Sequence, residues 1–195
     1  MTTKPRFALP FVQRLVLSAA LSAALFVSLF AIATPILQAQ SDPNPVVSSA
    51  REIYERQAKY MIAAAELMPA EKYTFRPTPA QMSYAQSIAH VTDANTFVCG
   101  MLTANPTPRG PRTSDTLSKD QLVAALKASF HVCDQAFAAL QDARLGDTIT
   151  FFGGKPAPRA RALFEEVGDL EDHYSQIAAY LRLNSLTPPS VKPAK

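Results

Sequence analysis

Four stretches of this chain repeat one spacing: apolar residues three or four positions apart for about twenty residues, with proline between the stretches. That period is the signature of an amphipathic α-helix that buries one stripe. The first stretch runs over residues 46–68, with Ile53, Gln57, Tyr60, Ala64 and Leu67 as its seam, and Pro69 stops it. The second covers residues 83–104 and carries Ile88, Val91, Val98 and Leu102. The third opens at Ser118, an N-cap completed by Gln121 into a capping box. It continues to about Leu145 through Val123, Leu126, Phe130, Cys133, Phe137 and Leu140. The fourth spans residues 159–184 with Leu163, Val167, Leu170, Tyr174, Ile177 and Leu181. Four helices of similar length predict an all-α four-helix bundle. Abundant alanine and leucine, 6 glycines and no tryptophan agree with that class.

The connections carry further information. Residues 73–79 cannot be helical, because Pro77 and Pro79 each disfavour helix in the residue before them. The linker over residues 105–117 exceeds ten residues. It is long enough to cross the bundle and admits an up-down-down-up order, which periodicity does not settle. Residues 146–158 read as a loop with a short apolar piece, Ile149 to Phe152, and Pro188-Pro189 ends the ordered region before a loose tail at 190–195.

The first 39 residues have a different grammar. Lys4, Arg6 and Arg14 precede an apolar run from Leu15 to Leu37, and Leu37-Gln38-Ala39 offers a small residue before a polar stretch. This reads as a signal peptide, with an uncleaved inner-membrane anchor over residues 15–37 as the competing reading. In both, residues 40–45 are a linker and the bundle over 46–189 works outside the cytoplasm, periplasmic or secreted if the segment is removed. The segment also explains the charge. The formal charge of +3 comes from 19 basic and 16 acidic residues. Three of the basic residues lie in the first forty positions, so the rest of the chain is neutral. No clustered Lys/Arg stripe exists to displace counterions, which excludes nucleic acid as a partner.

Chemistry rests on few residues. The three histidines are His90, His131 and His173. Beside the seam of the fourth stretch runs a polar row of Glu166, Asp169, His173 and Gln176. Asp169 and His173 are four apart and share a helix face. A carboxylate and an imidazole so placed can grip one metal ion, with His90 from the second stretch as third ligand. The competing reading makes each a hydrogen-bonded or solvated surface residue. Tyr174, Gln57 and Tyr60 are candidates for a pocket or for simple packing, and His131 for a partly exposed helix position.

The order of three stretches resembles the DinB-like (YfiT-like) superfamily of bacterial four-helix-bundle proteins. They are Met68-Pro-Ala-Glu-Lys-Tyr-Thr-Phe-Arg-Pro-Thr-Pro79, Ser83-Tyr-Ala-Gln-Ser-Ile-Ala-His-Val-Thr-Asp-Ala-Asn95, and Asp169-Leu-Glu-Asp-His-Tyr-Ser-Gln-Ile-Ala-Ala-Tyr-Leu-Arg-Leu-Asn184 followed by Pro188-Pro189. The resemblance covers essentially the whole domain and implies an up-down-down-up bundle. It also implies a divalent metal, zinc or nickel, held by three histidines. His90 matches the first and His173 the last, while Asp169 stands where the family has the middle one. Two histidines and a carboxylate still make an open site, or the site is degenerate. Arg182 matches an arginine near the family's helix end, where a salt bridge would anchor it.

Two functions are compatible with these residues. One is an exported metal-dependent hydrolase or thiol-dependent transferase acting on a small molecule, since some relatives transfer thiol cofactors or isomerise thiol adducts and others are classed as hydrolases. Export takes the site away from pools of low-molecular-weight thiol, which weakens the thiol-transfer reading and leaves hydrolysis or simple binding less disfavoured. The other is a non-catalytic envelope bundle. A homodimer through an apolar strip on the first or third helix is a third, weaker reading. Cys99 and Cys133 either pair in an oxidising compartment or remain buried thiols.

Overall fold

The computed structural model describes residues 42–103 and 111–191. The signal or anchor segment at 1–39 and residues 192–195 of the tail lie outside the described residues. The chain divides into two units, residues 1–42 and 43–195. Four long helices dominate the second unit: α1 (Pro45–Leu67), α2 (Tyr84–Leu102), α3 (Lys119–Ala139) and α4 (Arg159–Leu183). Among the described residues, no helix is long and apolar enough to cross a membrane.

Local chemistry explains the ends. α1 opens with Pro45 at its first turn, where a missing N–H costs nothing. Asn44 gives no side-chain cap to α1. Instead the Asp142 carboxylate accepts from the backbone N–H of Val46 and Val47, each at 2.9 Å. Asn44 Oδ1 in turn accepts from the Asp142 N–H. A carboxylate there also meets the positive end of the helix dipole. α3 carries the expected capping box of Ser118 and Gln121, and α2 has a second one, Ser83 with Gln86. The last carbonyls of α1 are bound by Tyr84 and Tyr73, whose hydroxyls donate to Ala64 O and Ala65 O. Those of α2 are held by the buried Arg159 guanidinium, which donates to Leu102 O and Thr103 O.

Side-chain pairings give the order. Tyr54 on α1 stacks on Phe137 of α3, while Lys119 at the start of α3 reaches Glu66 O at the end of α1, so these helices run antiparallel. Arg56 pairs with Glu171 and Tyr60 stacks on Tyr174, so α1 and α4 run parallel. Asn95 with Ser129 and Cys99 with Cys133 make α2 and α3 parallel. Tyr84 near Tyr180 and Arg159 at the end of α2 make α2 and α4 antiparallel. The bundle is therefore up-down-down-up, and the connection from α2 to α3 crosses its length. Asp93 on α2 pins that crossover by accepting from Thr113 N–H at 2.9 Å.

The seams of α2, α3 and α4 are buried as their spacing predicts. α1 departs from expectation. Of its expected seam Gln57 and Ala64 are buried, Ile53 and Tyr60 are partly buried and Leu67 is exposed, while Val47, Ala50, Tyr54, Met61 and Ala65 complete the buried face. α1 packs against both α3 and α4. Its buried arc spans two neighbouring rows, and small alanines on the inner one let the backbones approach. α3 ends at Ala139, short of the expected Leu145. The chain turns there so that Asp142 can reach the start of α1. The apolar piece after it forms a small hairpin, β1 (Thr148–Thr150) against β2 (Pro156–Pro158), with Ile149 opposite Ala157. Gly153 and Gly154 take positive φ in its turn, which glycine adopts without strain. The residue pattern predicts only a loop there, because three-residue strands carry no period.

Asp142→Ala should lower the unfolding free energy by about 1–2 kcal/mol, the usual cost of a lost N-cap. Urea denaturation measures it, and an unchanged midpoint would show that Asp142 does not secure α1.

Candidate functional site

The antiparallel packing of α2 on α4 brings His90 opposite His173. Their rings meet edge to face with centroids 4.8 Å apart. Asp169, one turn before His173, places Oδ1 3.4 Å from His173 Nε2. His173 is buried, Asp169 is half-buried and His90 is exposed. The three residues singled out as ligands therefore share one face between two helices. The Asp169 contact raises the His173 pKa, chiefly through its hydrogen bond, against the opposing effect of burial.

Space is available on both sides of His90. A cavity of about 250 Å³ lies toward Gln86, Asp93 and Arg112. A narrower one of about 140 Å³ lies toward Phe97, Phe152 and Asp169. Charged and polar side chains, Asp93, Arg112 and Asp115 among them, contribute to the first, and Phe97 and Phe152 to the second. The donor set of two imidazoles and one carboxylate suits zinc or nickel. Its nitrogen and oxygen atoms do not lie mutually within 4.8 Å, whereas among the described residues Cys99, Cys133 and Glu166 do.

The expected polar row on α4 divides. Asp169 and Gln176 stay near the surface, but Glu166 is 1% exposed. Its pKa is pushed up to about 8, first by loss of water and second by the negative charge of Asp169. Its Oε1 lies 3.4 Å from Cys133 Sγ, and Cys133 is joined to Cys99 in a disulfide. Asn95 and Ser129 are buried nearby and hydrogen-bond to each other at 3.1 Å. The depth of Glu166 has a sequence signal: it stands three after Leu163 and four before Leu170, inside the buried stripe.

The other candidates are elsewhere. His131 is exposed on α3 and pairs with Gln135. Tyr174 is buried against Tyr60, and its hydroxyl accepts from Ser190 N–H, tying the chain end to α4. Gln57 donates to Glu171. Arg182 is exposed, and among the described residues no ion pair involves it.

The fold has counterparts among known proteins. The sequence profile described as the DinB superfamily matches residues 53–177. A comparison with curated proteins finds no match. Among solved structures, a DinB-like protein from Bacillus cereus is similar with a TM-score of 0.62 at 15% identity, covering 74% of this chain and 97% of that one. A DinB-like protein from Bacillus subtilis gives 0.58 at 16%, covering 70% and 93%. A mycothiol-dependent maleylpyruvate isomerase gives 0.56 at 13%, covering 69% of this chain and 65% of the isomerase. At these identities the likeness is one of fold.

Glu166 gives a pH signature. The folded protein keeps it protonated to about pH 8, whereas the unfolded chain ionises it near 4.5. Between those values the folded state binds more protons, so its stability falls as pH rises. Glu166→Gln removes that dependence. Parent and variant should match near pH 4.5, and the variant should be more stable by roughly 2–4 kcal/mol at pH 8. Urea midpoints across this range, with chelator present, test it; parallel curves would contradict the assignment.

Proposed function

Because the chain belongs to the DinB superfamily, we propose that it is a metal-dependent enzyme acting on a small molecule at the cleft between α2 and α4. The observation that carries this reading is the meeting of His90 and His173 beside Asp169. His90, Asp169 and His173 would hold one divalent ion, zinc or nickel, and leave a position open toward the two cavities. When bound, that ion supplies Lewis acidity to a water or thiol.

The chain's own residues set the conditions. His173 must present a deprotonated nitrogen, so its Nε2 has to give up the contact with Asp169 or share the ion with it. The Asp169 carboxylate brings a negative charge where the family has a neutral imidazole. That lowers the net charge of the loaded site and favours a harder ion than an all-histidine set would. The aromatic wall of Phe97 and Phe152 limits water on one side of His90, and the polar cavity on the other can orient a substrate. Hydrolysis is the reaction that these groups support most directly. Thiol-dependent transfer is the second reading, supported by the fold shared with the mycothiol-dependent isomerase.

The same proposal has the domain exported. Basic residues before the apolar run at residues 15–37 support it, as does the Cys99–Cys133 bond, which suits an oxidising compartment. The alternative is a non-catalytic envelope bundle in which Asp169 and His173 are simply an ion pair. It is favoured by the direct contact between those two side chains.

Native protein should carry about one equivalent of zinc or nickel per chain, measured by elemental analysis. His173→Ala should weaken metal binding at least about tenfold, and Asp169→His should strengthen nickel binding by a similar factor. Metal-free native protein with no thermal shift on adding either ion would leave the non-catalytic reading standing.

A further inference from the structure

Nothing in bundle packing calls for an acid where Glu166 stands. Its neighbours along the α4 seam are Leu163, Val167 and Leu170, all buried. A carboxyl taken out of water without strong partners is costly. Its near neighbour is Cys133 Sγ at 3.4 Å, and a disulfide sulfur has no proton to donate. Asn95 O lies 3.6 Å from the same sulfur. Cys99 and Cys133 are fully buried, and one ligand atom from each cysteine and from Glu166 lie mutually within 4.8 Å.

We infer that Cys99, Cys133 and Glu166 form a redox-gated site for a zinc-class ion, closed while the disulfide is intact and opened when it is reduced. The chemistry balances with a dithiol as reductant. Its two thiols become a cyclic disulfide, the Cys99–Cys133 bond breaks, and two cysteine thiols form. Binding of a divalent ion then releases their two protons and that of Glu166, leaving two thiolates and one carboxylate on the metal. Around a tetrahedral ion the two sulfurs part to roughly 3.7 Å. Asn95 O or a water is placed to complete the coordination. Thiolates and a carboxylate together suit zinc, and cobalt(II) reports on the same geometry.

The site is separate from the histidine cleft. It lies in the α2–α3–α4 core, and it predicts metal uptake that depends on redox state. The histidine set does not.

The test uses the full chain, treated anaerobically with a dithiol that is then removed, and titrated with cobalt(II). The reduced protein should take up about one equivalent more than the oxidised protein, with a thiolate-to-cobalt charge-transfer band. The oxidised protein and Cys133→Ser should lack the band. Glu166→Gln should weaken it at least tenfold, and the His90→Ala/His173→Ala double variant should keep it. Far-ultraviolet circular dichroism on the same samples reports whether the bundle stays folded. Folded, reduced protein without the band overturns the inference. So does unchanged affinity in Glu166→Gln, a band that appears only as helix is lost, or a disulfide that resists the dithiol until the chain unfolds.

Discussion

The parallel pairing of α2 and α3 is the constraint on which the rest depends. Helices adjacent in sequence pack antiparallel when their connection is short. Here the chain must travel the length of the bundle between them, and Asp93 holds that crossover partway along α2. With α2 and α3 pointing the same way, α4 can lie antiparallel to α2 and parallel to α1. Antiparallel packing sets the first half of α2 against the second half of α4, which brings His90 across from His173. The disulfide at Cys99 and Cys133 fixes the register of the parallel pair. Closing its span contributes about 3–4 kcal/mol in the loop-entropy model.

A second constraint acts through α4. One helix faces both α1 and α2, so its buried arc is wider than a simple seam. The row next to the leucines is drawn inward unevenly: Glu166 and His173 are buried, while Asp169 and Gln176 lie at the boundary. Glu166 holds its proton to about pH 8, while His173 is pushed toward its charged form by the carboxylate beside it.

Much of this architecture is legible in the residues, and the exceptions have physical causes. Seams of branched and aromatic residues on α2, α3 and α4 are unambiguous, because each helix places one apolar row against its neighbours. On α1 the expected seam is buried at Gln57 and Ala64 but not at Leu67, since Tyr54 and Met61 compete with Ile53 and Tyr60 for the same period and only tertiary packing chooses. The end of α3 escapes local reading because Asp142 caps a helix almost a hundred residues away, a pairing that no local pattern encodes. The hairpin at Thr148–Pro158 is too short to show alternation. His90, Asp169 and His173 stand out as a candidate set because helical spacing and the order of motifs agree on them. Glu166 groups with the surface row because acids on helices usually face water, although its distance from Leu163 and Leu170 points inward.

The two donor sets are linked by charge. Asp169 contacts His173 on one side and raises the Glu166 pKa on the other. Anything that neutralises Asp169, whether a proton or a cation shared with the histidines, removes part of the repulsion felt by Glu166 and eases its ionisation. Because Glu166 is screened from water, that effect is little weakened by salt. Desolvation is nevertheless its larger burden, so relief at Asp169 alone leaves Glu166 well above an ordinary carboxyl. Full ionisation of Glu166 at neutral pH therefore requires a positive charge within the core itself. The position of the two sulfurs beside it is the place where the fold can bring one.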